Sequence, residues 1–122
     1  MPNRTFLDPR GFIHQILTGD QTAESLAKAT KESQILVAQL QKQNGNRPVN
    51  FLIDLSQVGR QDMAMRQASA KSLQTMPFGK IALFGLDGFL KHVANLVIMA
   101  SGKQSKVKQF SDEASATAWL LK

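Results

Sequence analysis

Cysteine is absent from this chain of 122 residues, and its absence excludes three kinds of chemistry. Without a thiol the protein can form no disulfide, use no thiolate nucleophile and bind no metal through sulfur. Histidine is nearly as scarce, because His14 and His92 lie far apart in the sequence and neither belongs to a pattern of Asp or Glu ligands. We therefore expect no metal site and no cofactor.

The chain also lacks a hydrophobic segment long enough to cross a membrane. The longest apolar stretch, residues 89–100, is interrupted by Lys91, His92 and Asn95. It is much shorter than the roughly 20 residues that a bilayer requires. The amino-terminal residues lead into mixed polar sequence without the apolar core of a secretion signal. We therefore expect a cytoplasmic protein with no membrane span.

Acidic residues are fewer than basic ones. The 15 Lys and Arg against 9 Asp and Glu give a formal net charge of +6, which favours an anionic partner. The basic residues are scattered, however, with one modest cluster at Lys103, Lys106 and Lys108. No aromatic residues alternate with that cluster, as a surface for stacking bases requires. Nucleic-acid binding is therefore not expected.

Apolar periodicity changes repeatedly between the strand and the helix pattern, in a composition typical of one globular domain over residues 1–122. Strands are predicted at residues 11–18, closed by a turn at Gly19-Asp20, and at 49–55, 80–86 and 106–110. Helices are predicted at residues 22–44, 62–76 with Asp62 as cap, 89–100, and after Ser111 or Asp112. Residues 1–10 form an arm or an edge strand. This order predicts an α/β fold with a mainly parallel sheet.

The most informative segment is the apolar run that ends in Asp54-Leu55-Ser56. Such a run suits a central strand covered by helices on both faces. Open α/β sheets place their functional loops at the carboxyl ends of the strands, and the turn before residue 89 should lie at the same end. The sequence therefore predicts a binding rim formed by Asp54, Ser56, Arg60, Asp62, Asp87 and Gly88.

Asp54 and Asp62 flank a predicted loop over residues 56–61 and allow two interpretations. They could form the carboxylate pair of a hydrolase-like site. Alternatively, Asp54 braces the turn and Asp62 caps the next helix through backbone amides. The second interpretation is favoured because it explains both positions. We therefore assign no catalytic residue and expect no enzyme activity.

The predicted helix over residues 89–100 is apolar around nearly its whole circumference. A helix of this kind must bury more than one stripe of side chains. Because exposed apolar patches mark contacts, the helix predicts a homodimer or partner interface at Phe89, Val93 and Val97.

Three segments carry a family resemblance: the strand that leads into Asp54-Leu55-Ser56-Gln57-Val58, residues 78–85, and Val107-Lys108-Gln109-Phe110 followed by residues 114–120. They resemble the STAS-like superfamily, named for sulfate transporters and anti-sigma-factor antagonists, and especially its SpoIIAA-like branch of small bacterial proteins. The resemblance implies a four- or five-stranded sheet flanked by about four helices. It also implies protein interaction, or binding of a ligand or lipid headgroup, and no enzyme activity.

In relatives that act as phosphorylation switches, a serine follows an aspartate at the start of the helix after this strand. Asp62 matches that aspartate, but Met63 and Ala64 stand where the serines would be. Without a hydroxyl there is no phosphate ester and no added charge. A phosphorylation switch is therefore not expected at this position.

Two functions remain as hypotheses. The preferred one is a noncatalytic binding or regulatory domain that acts through protein interaction at the rim and at the helix over residues 89–100. The alternative is a carrier or sensor of a small apolar or anionic, lipid-like ligand. Its predicted pocket residues are Met63, Met65, Met76, Phe84 and Phe89, with Lys80, Lys91 or Arg60 receiving the anionic headgroup.

Overall fold

The computed structural model describes residues 3–122, apart from the side chain of Asn44. The elements run in the order β1 (Arg4–Leu7), β2 (Ile13–Gln21), α1 (Ala23–Asn44), β3 (Phe51–Gln61), α2 (Met63–Thr75), β4 (Ile81–Phe84), α3 (Gly88–Ser101), β5 (Val107–Phe110) and α4 (Glu113–Leu120). Strands therefore alternate with helices from β2 onward, as predicted.

The five strands form one sheet in the order β1-β2-β3-β4-β5. The strands β2 to β5 pair in parallel, and β1 pairs antiparallel with β2 at one edge. The predicted α/β fold with a mainly parallel sheet is confirmed. Residues 4–7 form the edge strand that was one alternative for the amino-terminal segment.

The helices are distributed unequally over the two faces of the sheet. Because neighbouring parallel strands are consecutive in the chain, right-handed crossovers place α1, α2 and α3 on the same face. On that face α2 packs against both α1 and α3, whereas α4 packs on β3, β4 and β5. Side chains alternate along each strand, so Phe51 joins the core under the first face and Leu52 the core under α4.

The core under α4 ends in an aromatic contact. The rings of Trp119 in α4 and Phe110 in β5 lie 5.6 Å apart between centroids. The ammonium group of Lys80 donates to the backbone carbonyl of Trp119 at 3.2 Å and lies 5.1 Å from its ring. These contacts fix α4 to the sheet.

Side chains cap three of the helices, and the predicted caps Asp62 and Asp112 are among them. Thr22 and Ser25 form a reciprocal capping box at the start of α1, and Asp62 accepts from the backbone N–H of Met65 at 2.7 Å at the start of α2. At the other end of the chain, Asp112 accepts from the N–H of Ser115 at 2.7 Å and begins α4.

Two predicted strand ends are wrong, because β2 and β3 continue past them. The ladder between these strands runs through Gly19 paired with Val58 and reaches Gln21 paired with Gln61, with bulges on the way. The carboxylate of Asp20 accepts from the backbone N–H of Arg60 at 2.8 Å and replaces a ladder bond. Gly19-Asp20 is therefore not a turn, and residues 56–61 are strand, not loop.

Candidate binding cavity

Asp54 lies inside β3 instead of at its end. It pairs with Phe84, the last residue of β4, so β3 loses its neighbour on that side at this point. The Asp54 carboxylate accepts from the backbone N–H of Ser56 at 2.9 Å and from the Ser56 hydroxyl at 2.6 Å. Asp54 therefore braces the bulge in β3, which is the bracing role that the sequence favoured.

Asp54 and Asp62 do not form a carboxylate pair. The residues between them belong to β3, and at about 3.3 Å per residue the intervening strand separates the two residues by roughly 25 Å. Glycosidase-type carboxylate pairs lie within about 10 Å of each other. This separation exceeds that of such pairs, and Asp62 serves as the cap of α2.

The other predicted rim residues are exposed and do not converge on a common pocket. The backbone of Arg60 is tied to Asp20, Asp87 precedes α3 without a capping hydrogen bond from its side chain, and Gly88 is the first residue of α3. None of the predicted rim residues lines the cavity described next. The predicted rim residues thus lie within β3 and at the starts of α2 and α3.

An elongated cavity of about 170 Å³, partly open to solvent, separates the sheet from α1, α2 and α3. It runs along β3 from Phe51 to Leu55, which is about 13 Å of strand. Among the described residues, no ionisable side chain lines it. Met76, which follows the end of α2, also lines it. The helices contribute small or aliphatic side chains to the wall: Leu26, Ala29, Thr30, Ser33, Met65, Ser69, Ser72, Leu73, Ala94, Val97 and Ile98.

Polar side chains in the wall bond to groups within the wall. Ser33 donates to the carbonyl of Thr30 at 2.9 Å, and the Gln15 amide reaches the carbonyl of Ala29 at 3.4 Å. The surface presented to the interior is therefore mainly apolar. Protein cores are close-packed with few voids larger than a water molecule, whereas an apolar cavity of about 150 Å³ is large enough to bind benzene. This cavity is of that size.

The pocket predicted from the sequence matches the cavity in part. Met65 and Met76 line it. By contrast, Met63 and Phe89 are 63% and 70% exposed, and Phe84 belongs to the core under α4. Of the predicted headgroup residues, Lys80 contacts Trp119 on the other face of the sheet. Small residues at helical spacing on the inner sides of α1 and α2 were the missed signal, because they leave space above the sheet.

The apolar character of α3 divides into an inner and an outer face. Val93 is buried and Val97 lines the cavity, because α3 packs against α2 and its Ile98 joins the core with Phe51 of the sheet. Val93 is therefore covered by protein, whereas Val97 is partly exposed. The outer face instead carries Phe89, Leu96 and Met99, which are 70%, 53% and 61% exposed.

A partly buried polar cluster at the turn between β1 and β2 was missed by the sequence analysis. Arg10 donates to the two carboxylate oxygens of Asp8 at 2.9 and 3.0 Å and thereby lowers the pKa of Asp8. Beside them, the His14 ring packs on Phe6 at 4.8 Å, with its Nδ1 atom 3.9 Å from the Asp8 carboxylate. Nε2 of His14 is buried without a hydrogen-bond partner among the described residues.

Within residues 3–122, no group of three His, Asp or Glu side chains is placed to hold a metal ion. Over the same residues, no helix has both the length and the apolar character needed to cross a bilayer.

Comparison with known proteins identifies the fold. The family model described as SpoIIAA-like matches residues 13–121. Among solved structures, the chain is similar to an uncharacterized Shewanella loihica PV-4 protein with a SpoIIAA-like fold, with a TM-score of 0.71 at 14% identity. That match covers 98% of this chain and 93% of the other. No curated protein matches the sequence.

Proposed function

The chain belongs to the SpoIIAA-like family, and we propose that it is a noncatalytic binding domain that holds an apolar group in the cavity under α1, α2 and α3. The observation that carries this proposal is the apolar cavity of about 170 Å³ at a position where a core would otherwise be close-packed. The hypothesis of a carrier or sensor is therefore preferred here to that of a pure protein-interaction domain.

The chemistry of the wall limits what the cavity can hold. A charged group buried without a partner is strongly disfavoured, and no ionisable side chain of residues 3–122 lines the wall. The buried part of the ligand is therefore uncharged, with the size of an aromatic ring or a short alkyl chain. Met65 and Met76 allow the wall to adapt, because methionine side chains are flexible and fill irregular gaps.

The test is binding of 1-octanol, measured by calorimetry and by displacement of an apolar dye. In the variant Ala94→Phe the new ring occupies the cavity, so octanol binding should be lost. Ala100 lies on the same helix but is exposed, so Ala100→Phe should bind as the wild type does. Native mass spectrometry of freshly purified protein checks for a retained adduct. Absence of octanol binding to the wild type, or equal binding by both variants, contradicts the proposal.

A protein interface on the outer face of α3 is a second candidate function. Phe89, Leu96 and Met99 are each more than half exposed on this face, and exposed apolar patches mark contacts. The double variant Phe89→Asp and Leu96→Asp should lower the mass seen in sedimentation velocity or release a captured partner. Gln34→Asp with Gln39→Asp, on the exposed side of α1, adds the same charge as a control. An unchanged mass and unchanged partners contradict this candidate.

A further inference from the structure

A second cleft, of about 280 Å³, opens at the amino end of the parallel strands. Its walls come from the end of α1 and from the segments before β3, β4 and β5. The residues that line it are Gln41, Asn46, Pro48, Val49, Met76, Pro77, Phe78, Lys103 and Lys106. In the described part of the chain, the lining contains two ammonium groups and two amide side chains and no carboxylate, so this cleft suits an anion.

The cleft and the apolar cavity have a common wall. Met76, Pro77 and Phe78, which connect α2 to β4, line both spaces. Met76 follows the last turn of α2 in an extended conformation, and its flexible side chain can move without breaking a hydrogen bond in the helix. A molecule that passes this wall would have one end in apolar and the other in basic surroundings.

The two lysines are held on one tight turn. The carbonyl of Lys103 accepts from the backbone N–H groups of Lys106 at 2.9 Å and of Val107 at 3.1 Å. Among the described residues, neither lysine forms a salt bridge. The Lys106 ammonium lies 3.5 Å from the carbonyl of Phe78 and 5.7 Å from the centroid of its ring, and both are weak contacts. Since an ammonium has three donors, both lysines can bind an incoming anion.

We propose that Lys103 and Lys106 bind the anionic head, a carboxylate or a phosphate, of an amphiphile whose apolar part occupies the cavity under the helices. This inference rests on the proposed function and names the class of ligand. It places the head at the amino end of the strands, at the opposite end of the sheet from the rim predicted by the sequence. The alternative is that the lysines only stabilise the nearby carboxyl ends of the helices, where positive charge is favoured.

The experiment compares octanoate with 1-octanol, which differ in the charge of the head and not in the length of the chain. In the double variant Lys103→Gln and Lys106→Gln, octanoate should bind about fivefold more weakly, the effect of two exposed ion pairs, while octanol binding should not change. Added salt should weaken octanoate binding to the wild type and leave octanol binding unchanged. The control Lys28→Gln with Lys31→Gln removes the same charge from the exposed side of α1 and should have no effect.

The outcomes separate this inference from the proposed function. One outcome is that octanol binds, but octanoate binding is either unchanged in the double variant or weakened equally in the control variant. The head site is then wrong and the cavity proposal stands. If the double variant lowers stability to urea and leaves the octanoate-to-octanol ratio unchanged, the lysines act on the helix ends. If inorganic phosphate alone binds as tightly as octanoate and is insensitive to Ala94→Phe, the cleft is a separate anion site. If neither compound binds the wild type, both proposals fail.

Discussion

Filling the cavity from α1 should stabilise the protein without a ligand. Ala29 is 3% exposed and lines the cavity, so Ala29→Leu adds three carbon atoms to space that is otherwise unoccupied by protein. At about 0.8 kcal/mol for each buried carbon, the free energy of unfolding should rise by about 2 kcal/mol. Helix propensity changes little, because leucine ranks directly after alanine. For a domain of this size, the melting temperature should rise by roughly 6–10 °C.

The measurement is urea and thermal unfolding followed by far-UV circular dichroism, with Ala27→Leu as the matched control. Ala27 is exposed on the same helix, so its replacement should change the free energy of unfolding by less than about 0.5 kcal/mol. Octanol binding should weaken in Ala29→Leu and not in Ala27→Leu. If Ala29→Leu instead destabilises the protein by about 1–3 kcal/mol, the value for overpacking a full core, the space is not there in solution and the reasoning is refuted.

Three further predictions concern stability. Asp8→Asn should lower the free energy of unfolding by about 1 kcal/mol at neutral pH. The value is small because Arg10 is 46% exposed, so solvent weakens its ion pair with Asp8. The pKa of Asp8 is lowered in the folded state. The contribution to stability is therefore present above the pKa of Asp8 in the unfolded chain and disappears as the pH falls through the lowered value. If the wild type is still more stable than Asp8→Asn below that pH, the ion pair is not the cause. Asp62→Ala should lower the free energy of unfolding by about 1 kcal/mol and Asp62→Ser should restore most of it, since both test the cap of α2; equal stability of the two variants would argue against a capping role. Gly85→Ala should cost about 2 kcal/mol or more, because a Cβ there would overlap the backbone of β3 at a φ of 99°. Gly11→Ala has a similar φ of 96° in open space and measures the backbone strain alone, so an equal cost in both variants would exclude the overlap.

Local signals in the sequence predicted much of the fold. The start of α1 at Thr22 and of α2 at Asp62 depends on side chains that bond to amides within the same turn, so the bounds of these helices could be predicted without tertiary information. The α/β class followed from the alternation of strand and helix patterns. Contacts between distant residues could not be read in this way. Gly19-Asp20 has the composition of a turn, yet it is strand because Asp20 bonds to Arg60, which is 40 residues away.

The candidate site was harder to predict for the same reason. A cavity depends on the distance between α1, α2, α3 and the sheet, and no local pattern encodes that distance. Met65 and Met76 were predicted to line a pocket on residue type, but the same reasoning also chose Met63, which lies outside. The division of α3 into inner and outer faces depends on its packing against α2. The sequence therefore indicated that α3 is apolar on nearly all sides but did not identify which side is exposed.

The position of Trp119 determines which spectroscopic signals can follow this protein. It is the one tryptophan in the sequence. It belongs to α4 and packs on the sheet face opposite the cavity, so the whole sheet lies between its indole and the cavity. Its emission will report detachment of the carboxyl-terminal helix during denaturation, and will stay nearly constant while a guest enters on the opposite side. A flat intrinsic-fluorescence titration is consequently no sign that a compound fails to bind, and screening should rely on heat or on an added fluorophore.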